Sequence, residues 1–110
     1  MAGKFELFQD KASGFRFRLK AANGETILAS EGYTEKSSAR EGIASVRLNS
    51  SDDDHYERKE ASDGQHMFNL KAANGQVIGT SEMYTSTSAR DNGIASVKLN
   101  ASDAEEVDLT

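Results

Sequence analysis

Cysteine is absent from this sequence. Disulfide bonds, thiolate zinc sites and thiol nucleophiles are therefore excluded, and the composition fits a reducing compartment. The chain also lacks any apolar run near the roughly 20 residues of a membrane-spanning helix, and its N-terminus lacks a basic segment followed by an apolar one. We therefore expect an unprocessed, soluble, cytoplasmic protein without a membrane partner.

Positively charged residues are fewer than negatively charged ones. The 110 residues include 13 Lys and Arg against 18 Asp and Glu, which gives a net charge of −5. Neutralisation of phosphates by Lys and Arg supplies most non-specific affinity for nucleic acid, so an acidic chain is a poor candidate for binding it. We expect no nucleic-acid partner.

Sequence motifs of catalysis are missing as well. The chain contains no Gly-x-Ser-x-Gly elbow, no His-Glu-x-x-His motif and no Walker loop. His55 and His66 are the only side chains whose unperturbed pKa lies near neutral pH, and no motif supplies either with a partner. The sequence therefore disfavours an enzyme and indicates no cofactor.

The chain does contain one unit twice, at an offset of 51 residues. Lys-Ala-Ala-Asn-Gly occurs at 20–24 and again at 71–75, and the eight residues that begin at Gly42 recur at Gly93 with one change of base. One such unit alone would bury too little apolar surface to be more than marginally stable. We expect residues 1–110 to form a single domain made of repeat one (1–51) and repeat two (52–110).

Each repeat begins with segments in which apolar and polar residues alternate. Phe15, Phe17 and Leu19 alternate with bases, a period of two that places the apolar set on one face of a strand. Asn23-Gly24, like the same pair in repeat two, suits a type I′ hairpin turn. The patterns predict three antiparallel strands in each repeat, at 4–9, 15–20 and 26–29 and at 56–60, 66–71 and 76–80.

A helical period follows the third strand of each repeat. Apolar residues recur at helical spacing, which predicts helices at about 36–48 and 87–99. Thr34 or Ser37, and likewise Thr85 or Ser88, are candidate N-caps. Asn49 and Asn100 suit the left-handed conformation beyond the last turn.

These patterns predict an α+β fold. Two β-β-β-α units, extended by a last strand at 105–109, should form one pseudo-twofold antiparallel sheet with both helices packed on one face. The expected core comprises Phe17, Ile27, Ile43, Val46, Phe68, Ile78, Ile94 and Val97.

Four motifs together resemble one known family. They are Phe-x-Leu-Phe-x-Asp at 5–10, Phe-Arg-Phe-Arg-Leu-Lys-Ala-Ala-Asn-Gly at 15–24, Ile-Leu-Ala-Ser-Glu-Gly-Tyr-Thr at 27–34 and Gly-Ile-Ala-Ser-Val at 42–46. This combination is similar to the YegP-like family of small bacterial proteins, and the likeness extends over nearly the whole chain. The resemblance implies a fold and no particular activity.

The resemblance also implies how the units connect. In that family each unit has three strands, a helix and a further strand, and two units join in one antiparallel sheet with their C-terminal strands exchanged. Single-unit members pair as dimers, which implies that this tandem chain is a monomer. Carried over, the strand at 56–60 would close the first unit and open the second, and residues 107–109 would close the second.

Bases in the second strand are one candidate binding site. Arg16, Arg18 and Lys20 should point away from the helices, where they could receive a small anionic ligand. The alternative is ordinary cross-strand pairing, in which Glu6 and Glu25 neutralise them.

Two tyrosines are a second candidate. Tyr33 and Tyr84 stand in matched Ser-Glu-x-Tyr-Thr segments, although other polar positions differ between the repeats. Either the ring is buried with a satisfied hydroxyl, or the repeated segments form a pair of partner-binding patches.

Two other clusters have simpler structural explanations. His66 stands where repeat one has Phe15, which indicates a partly buried ring at a strand end. His55 follows three aspartates at 52–54, and these acids with Glu57 lack the glycine and distal glutamate of an EF-hand loop. We expect a solvated acidic connector and no metal site.

These observations favour a small non-enzymatic binding or interaction module of the cytoplasm, whose partner is a protein or a small molecule. The alternative is a small anionic ligand-binding protein that uses the basic strand face. An enzyme ranks third.

Overall fold

Seven strands and two helices arise from the two sequence periods in the computed structural model, which describes residues 3–110. Every boundary lies within one residue of its prediction. Repeat one contains β1 (Lys4–Gln9), β2 (Phe15–Lys20), β3 (Thr26–Ala29) and α1 (Lys36–Asn49). Repeat two contains β4 (Tyr56–Glu60), β5 (His66–Lys71), β6 (Val77–Thr80), α2 (Thr87–Asn100) and β7 (Glu105–Asp108), and a 3₁₀ turn at Asp53–His55 precedes β4.

The strands form one sheet in the order β4-β5-β6-β3-β2-β1-β7. The repeats meet at its centre, where β3 runs antiparallel to β6 and Ala29 pairs with Thr80. Both helices pack on one face: α1 lies on β1 and β2 and reaches β5 and β6, while α2 lies on β5 and reaches β3. The predicted α+β fold with one shared sheet is confirmed.

The last strand of repeat two is exchanged onto repeat one, as the family resemblance implied, but it does not close its own repeat and it is not antiparallel. β7 runs parallel to β1, with Lys4 opposite Glu105 and Leu7 opposite Asp108, so the sheet is mixed. β7 therefore adds to repeat one, and the expectation that residues 107–109 close repeat two is wrong. The expectation that β4 closes repeat one is also wrong, because β7 already occupies the outer side of β1 and β4 lies at the opposite edge, beside β5.

The hairpin loop after β2 is not the predicted type I′ turn. Gly24 has a positive φ of 88°, whereas Asn23 before it does not. The Ala21 N–H donates to the Glu25 carbonyl at 2.9 Å, which leaves a three-residue loop. Loops of that length commonly take a type I turn followed by one left-handed residue, and the loop after β5 repeats this geometry around Gly75.

The helices begin without the predicted caps. No side chain caps α1, which starts after Glu35. Ser86 caps α2 instead of its neighbours, because its hydroxyl accepts the Ala89 N–H at 3.0 Å. Within residues 3–110, neither helix combines the length and apolar character needed to cross a membrane.

The asparagine in the last turn of each helix is buried. Asn49 and Asn100 are helical rather than left-handed, and their buried side-chain amides donate to the Ser45 and Ser96 carbonyls at 2.8 Å. Asn100 also accepts the Gly3 N–H at 2.9 Å. The hydrogen bond from Gly3 ties α2 to the residue before β1, whereas the other two lie within the helices.

The core is built jointly by the two repeats. All eight residues predicted to form it are buried. At the centre of the sheet Leu28 of repeat one lies against Gly79, its counterpart in repeat two. A Cβ atom on Gly79 would lie 2.6 Å from Cγ and Cδ2 of Leu28, so the glycine makes room for the leucine.

Candidate functional site

The basic strand face, which we define as Arg16, Arg18 and Lys20, lies on the sheet surface opposite the helices, as its alternation predicts. Phe17 and Leu19, which separate these bases along β2, are fully buried in the core. The two sets of side chains therefore point to opposite faces of the strand.

Glu6 of β1 is the main partner of these bases. Its carboxylate contacts Arg18 Nε at 2.6 Å, Lys20 Nζ at 3.3 Å and Lys4 Nζ at 3.6 Å. The hydrogen bond from Arg18 holds the pKa of Glu6 below its usual value, although burial opposes the shift. The Phe8 ring lies beside the cluster, 4.5 Å from the Arg18 guanidinium carbon.

The charge of this face is only partly compensated. Arg16 pairs with Asp10 at 3.0 Å, and Glu6 is shared by the other three cations. These four cations and two carboxylates leave an excess of two positive charges. Glu25, which was expected to help neutralise the bases, lies instead near Tyr84, whose pKa its charge helps to raise.

The matching face of repeat two is not basic. Met67 and Asn69 stand in the places of the two arginines. Glu57, the counterpart of Glu6, accepts a hydrogen bond from Asn69 at 3.1 Å and pairs with Lys71 at 3.0 Å. An anion site on this sheet surface would therefore belong to repeat one alone.

Tyr33 and Tyr84 occupy equivalent half-buried positions between a strand and a helix. The Tyr33 ring stacks on Phe17 with centroids 6.3 Å apart, and the Tyr84 ring stacks on Phe68 at 6.5 Å. Burial raises the pKa of both hydroxyls. The helix makes room for the ring with a glycine, since a Cβ atom on Gly42 would lie 2.6 Å from Tyr33 Oη. Packing thus explains why both repeats have these rings.

The shared serines beside the tyrosines also have a structural role. Ser30 Oγ accepts the Phe17 N–H at 2.9 Å and donates to the Glu31 carbonyl at 2.8 Å. Ser81 makes the same two hydrogen bonds in repeat two. These bonds hold the chain where it leaves β3 and β6.

A groove of about 440 Å³ lies beside Tyr33, between α1 and the β5–β6 hairpin. Neither the Tyr33 hydroxyl nor the Tyr84 hydroxyl has a hydrogen-bond partner among residues 3–110. Tyr56, by contrast, donates to the Ser50 carbonyl at 2.7 Å. We call this cleft the Tyr33 groove; its polar lining is Glu31, Tyr33, Ser38, Glu41, Ser45, Asn74 and Gln76, and its apolar lining includes Ala72, Val77 and Ile78.

The structure separates the candidate residues that the sequence identified. The basic strand face and the tyrosines lie on opposite sides of the sheet. Sequence reasoning identified Tyr33 but missed Glu41 and Asn74, because no local pattern links them and the groove exists only where the two repeats pack together. The tandem repeat was the one available signal, since clefts often form where two units meet.

The histidines make structural contacts. His66 pairs with Tyr84 through its backbone, with both N–H···O distances at 2.7 Å. His55 Nδ1 lies 3.1 Å from the Lys71 carbonyl. Neither lines the Tyr33 groove.

The acidic connector was expected to be solvated, but it also makes ion pairs with two other elements. Asp53 pairs with Arg58 at 3.0 Å and with Lys98 at 2.8 Å, so it ties the connector to β4 and α2. These contacts, the Arg58 hydrogen bond first, lower the pKa of Asp53 to about 2. Within residues 3–110 no three potential metal-ligating side chains gather.

Comparison with known proteins places both repeats in one family. The family described as "Domain of unknown function (DUF1508)" matches residues 10–57 and 61–108. The UPF0339 protein YegP of Escherichia coli strain K12 is 56% identical, with 100% of each chain covered. The UPF0339 protein in ptx operon 5′ region of Stutzerimonas stutzeri is 55% identical over 99% of this chain and 98% of that protein.

Two solution NMR structures share the fold. The structure of yegP from E. coli, a protein of unknown function, has a TM-score of 0.95 at 56% identity and covers 100% of this chain and 95% of that one. A UPF0339 protein from Shewanella oneidensis has a TM-score of 0.94 at 52% identity, with 100% and 93% covered. The resemblance found in the sequence is confirmed, and the chain belongs to the YegP-like UPF0339 family, in which each of its two repeats is a DUF1508 domain of unknown function.

Proposed function

We propose that this chain is a non-catalytic binding protein of the cytoplasm that acts as a monomer and holds a small cationic ligand, such as an amine, in the Tyr33 groove. The observation that carries the proposal is the lining of this groove, in which two carboxylates and the Tyr33 side chain stand beside an apolar wall. A cleft with an apolar wall and a few convergent polar groups is the usual form of a small-molecule site.

The lining of the groove favours a cation over an anion. Glu31 and Glu41 are acidic, and no Lys or Arg is among the lining residues. A primary ammonium group has three donors, which suit carboxylate and hydroxyl oxygens. Val77 and Ile78 offer apolar surface to a short alkyl chain. The same acidic lining, with the net charge of −5, supports a partner other than nucleic acid or a membrane surface.

The side chains that line the groove support ligand binding without catalysis. Ser38 and Ser45 supply hydroxyls, but no histidine or lysine lines the groove to activate them. Ser45 Oγ is instead a partner of the Asn49 amide at 3.2 Å.

Titration of the isotope-labelled protein with butane-1,4-diamine tests this proposal. We expect the amide signals of Tyr33, Gly42 and Asn74 to shift with the diamine and not with butane-1,4-diol, which has the same carbon chain and no charge. Glu41→Gln should weaken binding by about two- to fivefold, as expected for an exposed ion pair.

Glu35→Gln is the matched control. It removes the same charge from an exposed position outside the groove, and it should leave the affinity unchanged. If the diamine shifts no signal at the groove, or if both variants weaken binding equally, the proposed site is wrong.

A second candidate function rests on the three cations that share Glu6. We propose as this alternative that the basic strand face binds a small anion. Titration with inorganic phosphate should shift signals of β1 and β2, and Lys4→Gln with Lys20→Gln should remove those shifts. Lys59→Gln, which removes an exposed base at the far edge of the sheet, should have no effect. Phosphate shifts that survive the double substitution would refute this alternative.

A further inference from the structure

The pseudo-twofold axis of the sheet gives the Tyr33 groove a counterpart beside Tyr84. Ala29 and Thr80 hold the same position in the two repeats, and they pair with each other where β3 meets β6, so the axis passes between them. The axis relates α1 to α2 and the β5–β6 hairpin to the β2–β3 hairpin. α1 contacts β6, and α2 contacts β3 in the same way. The junction of α2 with the β2–β3 hairpin is therefore equivalent to the Tyr33 groove, and we call it the Tyr84 groove.

The tyrosine of each repeat enters its groove in the same way. Tyr33 pairs through its backbone with the first residue of β2, and Tyr84 pairs with the first residue of β5. A Cβ atom on Gly93 would collide with the Tyr84 hydroxyl, as one on Gly42 would collide with the Tyr33 hydroxyl. The two hydroxyls therefore occupy equivalent places above the two helices.

The acidic character of the first groove is repeated in the second. Glu82 is the counterpart of Glu31. Burial, and after it the charges of Glu82 and Glu25, raise the pKa of the Tyr84 hydroxyl, so both carboxylates lie near that hydroxyl. No counterpart of a residue that lines the Tyr33 groove is a Lys, Arg or His. Carboxylate and hydroxyl oxygens are acceptors that suit an ammonium group.

The second carboxylate comes from a different element in each groove. In the Tyr33 groove it is Glu41 of α1, whose counterpart in α2 is Asn92. In the Tyr84 groove it is Glu25 of the β2–β3 hairpin, whose counterpart in the other hairpin is Gln76. Duplication of one unit explains the shared tyrosine and glycine, but it does not explain this exchange. Each groove has two carboxylates although the positions that supply them differ.

We propose that the Tyr84 groove is a second site for a small cationic ligand, so that the chain holds two such ligands, one at each junction of the repeats. The inference rests on the function proposed for the Tyr33 groove, because it assigns the same class of ligand to both. Part of the apolar wall is also kept, since Ile27 stands in the place of Ile78 and Ala21 in the place of Ala72. A short alkyl chain therefore has apolar surface in either groove.

Titration of the isotope-labelled, full-length protein with butane-1,4-diamine tests the second site. We expect the amide signals of Tyr84, Gly93 and Asn23 to shift, in addition to those of the Tyr33 groove. Calorimetry should give two diamines bound per chain. Butane-1,4-diol should shift neither group of signals, because it has no charge.

Variants at exposed positions separate the two sites. Glu25→Gln should weaken diamine binding at the Tyr84 group of signals by about two- to fivefold and leave the Tyr33 group unchanged. Asn92→Glu should strengthen binding at the Tyr84 group by a similar factor, because it gives α2 the carboxylate that Glu41 gives α1. Glu35→Gln, which removes an exposed charge outside both grooves, is the matched control and should change neither affinity.

The possible failures are distinguishable. Shifts confined to the Tyr33 group, with one diamine bound per chain, would overturn the second site and leave the proposed function standing. Shifts at neither group would overturn both. Equal weakening of the two groups by Glu25→Gln would also overturn the second site, because it would indicate an effect of net charge and not of a local contact.

Discussion

The contact between Leu28 and Gly79 makes a specific prediction about how the repeats depend on one another. These residues are counterparts at the same position of the two repeats, and Leu28 is 0% exposed. A Cβ atom on Gly79 would lie 2.6 Å from two carbons of Leu28. Gly79 does not have a positive φ, so alanine at this position is opposed by the contact and not by the backbone.

The magnitude follows from two opposing effects. Gly79→Ala should cost about 1–3 kcal/mol through overpacking and regain about 0.5–1 kcal/mol because alanine loses less backbone entropy in a strand. Leu28→Ala alone should cost about 2–5 kcal/mol through the cavity it leaves. With the leucine branches removed, the same Gly79→Ala change should stabilise by about 0.5–1 kcal/mol. The two substitutions should thus be coupled by about 1–3 kcal/mol.

Urea unfolding of the parent, the two single variants and the double variant measures this coupling. A coupling free energy under about 0.5 kcal/mol would refute the reasoning, because the stability effects of two independent substitutions add to within about that amount. Exchange of the two residues, Leu28→Gly with Gly79→Leu, is the sharper control. It should remain folded, because the pseudo-twofold axis relates the positions, whereas Gly79→Leu alone should be strongly destabilised.

Three other predictions concern the core, acid stability and the joining of the repeats. Phe17→Ala and Phe68→Ala should each lower the free energy of unfolding in urea by about 3–5 kcal/mol, because both rings are fully buried; a loss below about 1 kcal/mol would mean that the ring is not part of the core. The lowered pKa of Glu6 means that its ion pairs contribute stability that is fully present above its ordinary pKa of 4.5 and is lost as the pH falls through the lower folded-state value. In Glu6→Gln the free energy of unfolding should therefore decrease less steeply as the pH is lowered. An unchanged dependence on pH would contradict the stabilising role of the Glu6 ion pairs. A chain of residues 1–51 alone should be unfolded or self-associated by sedimentation, whereas a stably folded monomer would contradict a shared core.

The fold was predictable where a local pattern decides the structure. Phe17 and Leu19 alternate with bases, so the strand and its buried face follow from side-chain direction alone. The helices follow in the same way from the spacing of their apolar residues. The place of β7 was not predictable from the local pattern, because a four-residue strand fits several edges and its contacts to Lys36 and Arg40 join residues far apart in the sequence.

Predictions of local geometry were wrong where a single residue decides the geometry. The Asn-Gly pair predicted a two-residue turn, but the Ala21 to Glu25 hydrogen bond closes a loop of three residues, in which Gly24 alone needs a positive φ. The predicted helix caps were wrong for two reasons. The N-cap position of α1 is Glu35, whose side chain makes no cap hydrogen bond. Before α2, Thr85 and Ser86 lie side by side, and the sequence does not specify that Ser86 is the cap.

The candidate sites were predictable only where their residues lie in one local pattern. The alternation of β2 predicted the direction of Arg16 and Arg18, and Glu6 is the partner it was expected to be. The Tyr33 groove was not predictable, because Glu41 and Asn74 come from different repeats and meet only after the hairpin of repeat two packs beside α1.

Amide spectra of the labelled protein in cytosolic extract would test the central claim most directly. Extract passed through a small-molecule filter and unfiltered extract would be compared with buffer. A small ligand in the Tyr33 groove predicts shifts at Tyr33, Gly42 and Asn74 that appear in both extracts. Spectra in which these three signals stay unchanged in both extracts, or change only with the unfiltered extract, would contradict the claim.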